Sequence, residues 1–147
     1  MLRFNPPFYF LSCLTLSVAF HFLWPVGQLI DWPYRLFGLV LIAAGGWLNI
    51  RADAIFKQVR TTVKPRGMPT SLVSWGPFKL SRHPMYLGMT AILLGAAIFL
   101  GSLTSFIGAM LLWIILQFVF IVHEEHAMAS QFGKAYDEYR ERTRMWI

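Results

Sequence analysis

The chain has 147 residues, of which 56% are hydrophobic, 16% aromatic and 14% charged. So few charges cannot cover that much apolar surface in water, so the composition excludes a soluble domain and indicates a membrane protein. The net charge of +6 does not mark a nucleic-acid binder, because the basic residues flank apolar runs and mix with Asp53, Asp137, Glu138 and Glu141; lipid phosphates are the expected contact.

Four apolar runs, residues 8–24, 34–50, 85–100 and 103–122, are each about 16 to 20 residues long, close to the length that crosses a bilayer as helix. The first follows Arg3. It is long for a signal-peptide core and no small-residue cleavage site follows, so it is expected to stay as an anchor. The single cysteine, Cys13, lies in this run and has no partner for an internal disulfide. An outer turn with Gly27 and Asp31 leads to the second run. Residues 52–82 then hold Pro65, Gly67, Pro69, Gly76 and Pro77, which forbid one continuous helix. The third run is short, which implies tilt, local thinning or extension back to Pro84. Only Gly101 and Ser102 separate it from the fourth, so these two runs are expected to form a tight antiparallel hairpin, with Ala91/Gly95 and Ser105/Ala109 as small packing positions. Beyond residue 122, Met128, Phe132, Ala135, Tyr136 and Tyr139 recur at helical spacing and predict one amphipathic helix over residues 123–142.

The fold class expected is therefore all-α and integral to the membrane, with about four transmembrane helices and a C-terminal amphipathic helix. Of the 13 Lys and Arg, only Arg35, at the very start of the second run, lies by the turn between the first two runs, and none lies between the last two. The positive-inside bias then places both termini in the cytoplasm. Oligomeric state is left open, because small residues on the last two runs serve internal packing as readily as a dimer.

Two clusters carry possible chemistry. In SRHPMYLG, residues 81–88, Pro84 suits the first helical turn, and the N–H groups of Met85 and Tyr86, with Arg82 and His83 beside them, suggest a site for a carboxylate or phosphate. A basic interfacial anchor with Tyr86 in the aromatic belt is the plainer alternative. Glu124 and Glu125 form an acid pair at the end of the fourth run, which opposes the helix dipole unless the helix continues or a cation or hydroxyl-rich ligand binds. A solvated helix face is the alternative there. The flanking His123 and His126 match no common zinc spacing, and no metal is expected. Residues 70–78, TSLVSWGPF, can wall a small pocket over the helix ends or lie as an interfacial loop.

Together, TSLVSWGPFKLSRHPMYLG, two runs, and EEHAMASQFGKAYDEYRERTR resemble the isoprenylcysteine carboxyl methyltransferase and phospholipid methyltransferase superfamily, in particular its short bacterial members, over residues 61–144. The resemblance implies a single membrane methyltransferase-like domain over 1–147, set in a bacterial inner membrane. It implies S-adenosylmethionine as cofactor, bound without a nucleotide-binding sheet at the cytoplasmic ends of the last helices. The implied cofactor contacts are Thr70, Ser71, Leu72, Val73, Phe78, His83, Pro84, Met85, Tyr86 and Glu124, with Glu125 completing the paired acid.

The eukaryotic prenylcysteine enzymes carry an Arg four residues before the cofactor-binding Glu; this chain has Phe120 there. Phe cannot pair with a carboxylate, so a lipophilic or amphipathic small-molecule acceptor is expected, oriented by Arg140, Arg142 or Arg144. Transfer to a thiolate or carboxylate needs no protein base; for a neutral acceptor His83, His123, Tyr86 and Glu125 are the candidates to take the proton. A nicotinamide-dependent membrane reductase, similar in its last helices, and a non-catalytic scaffold are the competing readings.

Overall fold

A computed structural model of the protein describes residues 5–59 and 71–147; Arg3, Pro65, Gly67, Pro69 and Thr70 lie outside the described residues. The described chain is helical, and its one β-contact is an isolated bridge between Gln28 and Ser102. Helix α1 is Pro6–Leu23, α2 Leu36–Gln58, α3 Pro84–Leu100, α4 Phe106–Ile115, α5 Val122–Phe132 and α6 Lys134–Arg142. A π turn at Leu116–Ile121 joins α4 to α5, so that one continuous helical stretch, Leu103–Phe132, follows the Gly101 turn.

Three stretches are long and apolar enough to cross a membrane, Pro6–Leu23, Leu36–Gln58 and Leu103–Phe132, and Pro84–Leu100 is a shorter apolar helix beside them. The expected extension of the third run back to Pro84 is present, because Pro occupies the first helical position. Gly101, with φ of +79°, ends α3, and its carbonyl accepts the N–H of Leu29 at 2.9 Å, tying the two outer turns together.

Of the small residues expected to bring the last two runs together, Ser105 does so, donating its hydroxyl to the Ala97 carbonyl of α3 at 3.0 Å, whereas Gly95 packs against α2. Gly95 of α3 faces Gly38 of α2, and Gly88 faces Gly45. A Cβ on Gly45 would lie 2.5 Å from the Gly88 carbonyl oxygen, so the antiparallel α2 and α3 backbones touch along a seam that only glycine permits. On the other side of the bundle, α1 meets α4 where Gly108 receives Ser17 and the Cys13 carbonyl.

Two further corrections concern length and breaks. Helix α2 continues beyond the apolar run to Gln58, and Ala52 and Ile55 are buried on this extension. The predicted amphipathic helix is split at Gly133, whose φ of +50° and ψ of −126° a side chain would resist. The first part continues α4; the second, α6, turns back so that Tyr136 and Tyr139 join Ala52, Ile55, Val73 and Phe78 in an apolar cluster at the basic end of the bundle. A separate core between α1, α3 and α4 contains Tyr86, Leu93, Leu112, Leu116 and Phe120.

The glycine seam gives a matched pair of substitutions. Gly45→Ala should destabilise by about 1–3 kcal/mol through overpacking, whereas Gly46→Ala, whose Cβ meets nothing within 4 Å, should be neutral or stabilising by up to about 1 kcal/mol. Thermal midpoints of the two variants in the same detergent check the contrast.

Candidate functional site

The α3 N-terminus and the start of α5 come together at the basic end. The helix runs straight through Glu124 and Glu125 to Phe132, so the adjacent acids sit within a helix and do not oppose an exposed C-terminus. Both turn toward His83. Its Nε2 is 2.9 Å from Glu125 Oε1, and its Nδ1 is 3.4 Å from Glu124 Oε2. Tyr86, one turn along α3 and stacked on the His83 ring at 5.8 Å, donates its hydroxyl to Glu124 Oε1 at 2.5 Å.

The two acids are not equivalent. Arg82 grips Glu125 with a fork, Nε to Oε1 at 2.8 Å and Nη2 to Oε2 at 3.0 Å, the planar geometry that guanidinium and carboxylate share. The side chains of Arg82 and Glu125 are 8% and 12% exposed, against 24% for Glu124. Arg82 Nη1 also donates to the carbonyls of Thr143 at 2.6 Å and Arg140 at 3.3 Å. All three of its guanidinium nitrogens are thus engaged within the protein, which corrects the expectation that Arg82 flanks an anion site. Glu124 is the more exposed of the two acids, and the N–H groups of Met85 and Tyr86 find no acceptor among the described residues.

Burial works against a charged His83, but the hydrogen bonds and charges of Glu124 and Glu125 outweigh it and raise its pKa above the ordinary histidine value. The Tyr136 phenol is pushed up by burial and by its hydrogen bond with Glu125, and Tyr139 is pushed up by burial, so both remain hydroxyl donors. The Tyr139 hydroxyl donates a hydrogen bond to the Phe78 carbonyl at 2.6 Å, which ties the preceding loop to α6.

That loop brings Val73 and Phe78 into the apolar cluster, with Leu72 and Met85 packed against it and Phe78 lying 5.0 Å from the Phe56 ring. Ser71 is half-buried and Pro84 fully buried. Phe120 packs on Tyr86 and Tyr9, at 6.3 and 5.7 Å between ring centroids. The structure therefore gathers Leu72, Val73, Phe78, His83, Pro84, Met85, Tyr86, Phe120, Glu124 and Glu125 around the start of α3. It does not bring in Arg140, Arg142 and Arg144, whose side chains are exposed, nor His123, which is also exposed. Arg140 and Arg144 take part through their backbone carbonyls.

Residues 34–135 match the phospholipid methyltransferase family, well over half of the chain. The chain belongs to the phospholipid methyltransferase family. A Haemophilus influenzae protein named only as uncharacterized is 30% identical over 63 residues, 43% of this chain and 100% of that protein. In this phospholipid methyltransferase family member, the residues that sequence reasoning passed over are Arg82 as an internal clamp, Ser81, Tyr136 and Tyr139. Tyr136 and Tyr139 signal themselves in sequence only as an apolar helical face, and Arg82 and Ser81 are tied to the C-terminal segment through backbone carbonyls, which sequence does not display.

The raised His83 value has a definite pH consequence. A group whose folded pKa exceeds its unfolded one stabilises fully below the unfolded value, about 6.5 for histidine, and loses that contribution as pH rises through the folded value. The thermal midpoint should therefore fall as pH rises through this window, and His83→Gln should flatten that part of the profile.

Proposed function

We propose that the protein transfers a methyl group from S-adenosylmethionine to a lipophilic or amphipathic acceptor at the cytoplasmic membrane face. Family membership supports methyl transfer. The observation that carries the donor site is the unequal acid pair: Glu125 has both oxygens held by Arg82, while Glu124, more exposed, keeps capacity for a cationic or hydroxyl-bearing ligand. The concentration of Lys and Arg at this end of the bundle supports its cytoplasmic placement.

The residues fit this cofactor group by group. Glu124 suits the donor's ammonium or ribose hydroxyls. The open N–H groups of Met85 and Tyr86, at a helix N-terminus beside His83, suit its carboxylate. Leu72, Val73 and Phe78 offer an apolar surface for the adenine. When bound, S-adenosylmethionine supplies a methyl group already activated by its sulfonium, so the protein's task is alignment and exclusion of water. Tyr86 and His83 hold Glu124 in one rotamer, and Phe120 with Tyr9 closes the site on the side of the bundle core.

Proton abstraction is poorly provided for. His83 is held toward its protonated form, Tyr86 already donates to Glu124, and Glu125 is saturated by Arg82. The acceptor that suits this arrangement is one that arrives as an anion or loses its proton to water.

Purified protein incubated with methyl-labelled S-adenosylmethionine and a membrane extract should yield a labelled lipid-soluble product. Binding of a nicotinamide cofactor in place of S-adenosylmethionine would overturn the assignment. Glu124→Ala should abolish measurable donor binding, and Tyr86→Phe should weaken it roughly tenfold, the scale of one hydrogen bond to a charged group; unchanged titration curves for both would remove these residues from the site.

A further inference from the structure

The last residues of the described chain form a strap that the proposed transfer reaction does not itself use. After α6, the backbone runs extended at Thr143 and passes across the start of α3. Arg82 N–H donates to the Arg144 carbonyl at 3.0 Å, and Ser81 Oγ donates to the Met145 carbonyl at 2.8 Å while accepting the His83 N–H at 3.1 Å. Arg82 Nη1 reaches the Thr143 carbonyl. Beyond these contacts, Trp146 turns into the bundle. Its indole Nε1 donates to Gln117 Oε1 at 2.7 Å, and Gln117 Nε2 lies 3.5 Å from the Met145 sulfur.

Gln117 belongs to the π turn, two residues beyond Ile115. A π turn adds a residue to the helix and rotates everything that follows, here the stretch that carries Glu124 and Glu125. The strap is thus anchored at one end on the turn that sets the phase of the acid pair, and at the other on Ser81 and Arg82, which set the position of His83 and Glu125. Every link is a made hydrogen bond, and Arg82 stands where the strap and the acid pair meet.

We infer that residues 143–146 are a positioning element of the donor site: Trp146, seated on Gln117, holds the strap against Ser81 and Arg82, and Arg82 in turn fixes Glu125 against His83, leaving Glu124 as the acid that faces the ligand. Arg82, Gln117 and Trp146 are positioning residues in this scheme and touch no reacting atom. The inference rests on the donor reading above for its functional consequence, but its structural linkage does not. The groups that face His83 are Glu124 and Glu125 from α5 and Tyr86 and Arg82 from its own segment, with Tyr136 of α6 reaching Glu125. Arg82, through its guanidinium and backbone N–H, and Ser81, which accepts the His83 N–H, connect this set to the strap.

The test uses full-length protein in nanodiscs with isotope-labelled histidine, the His83 signal being assigned by its loss in His83→Gln. Wild type, Trp146→Phe, Arg82→Lys and the double variant are compared for thermal midpoint, His83 titration midpoint and S-adenosylmethionine dissociation constant. Trp146→Phe keeps the ring in the bundle and removes the N–H. It should move the His83 midpoint and weaken donor binding roughly tenfold, the scale of one displaced charge-assisted bond. Arg82→Lys should do both, and the double variant should add little to Arg82→Lys alone, as expected for residues acting through one another. A fall in thermal midpoint with the His83 midpoint unmoved in both Trp146→Phe and Gln117→Leu, which breaks the same bond from the other side, would overturn the inference. A His83 midpoint that responds to the strap in a protein that binds no S-adenosylmethionine would instead uphold the linkage and overturn the donor reading.

Discussion

The structure of the basic end depends on one ion pair, the fork between Arg82 and Glu125. Each charge is largely withdrawn from water, which is costly unless partners replace the lost hydration. The partners here are many: both Glu125 oxygens accept from Arg82, His83 reaches the same carboxylate, and the carbonyls of Arg140 and Thr143 accept from Arg82 Nη1. Such a pair adds little net stability over an apolar substitute, but its geometry is narrow. It fixes the distance between α3 and α5 and holds α6 and the strap to them. A consequence is asymmetry between neighbouring acids, since the one that builds the scaffold cannot also serve a ligand.

The membrane helices bring this pair to its place. Close backbone contact along Gly38, Gly45, Gly88 and Gly95 sets α3 against α2, and the extension of α2 to Gln58 carries Ala52 and Ile55 beneath the loop that holds Val73 and Phe78. On the opposite side, Ser17 and Cys13 of α1 receive Gly108 of α4. Van der Waals contact between backbones replaces the hydrophobic driving force that lipid cannot provide. The π turn then aims Glu124 at Tyr86 while leaving Phe120 in the core beside the same ring. A membrane bundle and a polar site are thus joined by a single irregular turn.

Much of this was legible in the residues themselves. The apolar runs gave the helices, Pro84 gave the start of α3, and the order of residues 70–88 before the acid pair gave the family, which the match over residues 34–135 establishes. What escaped was phase and partnership. Gly95 is expected to pack against α4 because spacing by four marks a face without naming the helix opposite, and it packs instead against Gly38 of α2. Gly133 was read through because the apolar positions on either side continue the same helical period, and that period cannot reveal a φ of +50°. The π turn has no composition signature. Arg82 reads in sequence as part of an anion site or a basic anchor because its partners beyond Glu125 are backbone carbonyls of a segment some sixty residues away in the chain.

The division of labour between the two acids is most directly tested by an experimental structure of the protein with S-adenosylhomocysteine bound. The expected result is a ligand touching Glu124, His83 and the backbone of Met85 and Tyr86, with the fork between Arg82 and Glu125 intact. A ligand that breaks the fork to bind Glu125, or that occupies another part of the bundle, would contradict it.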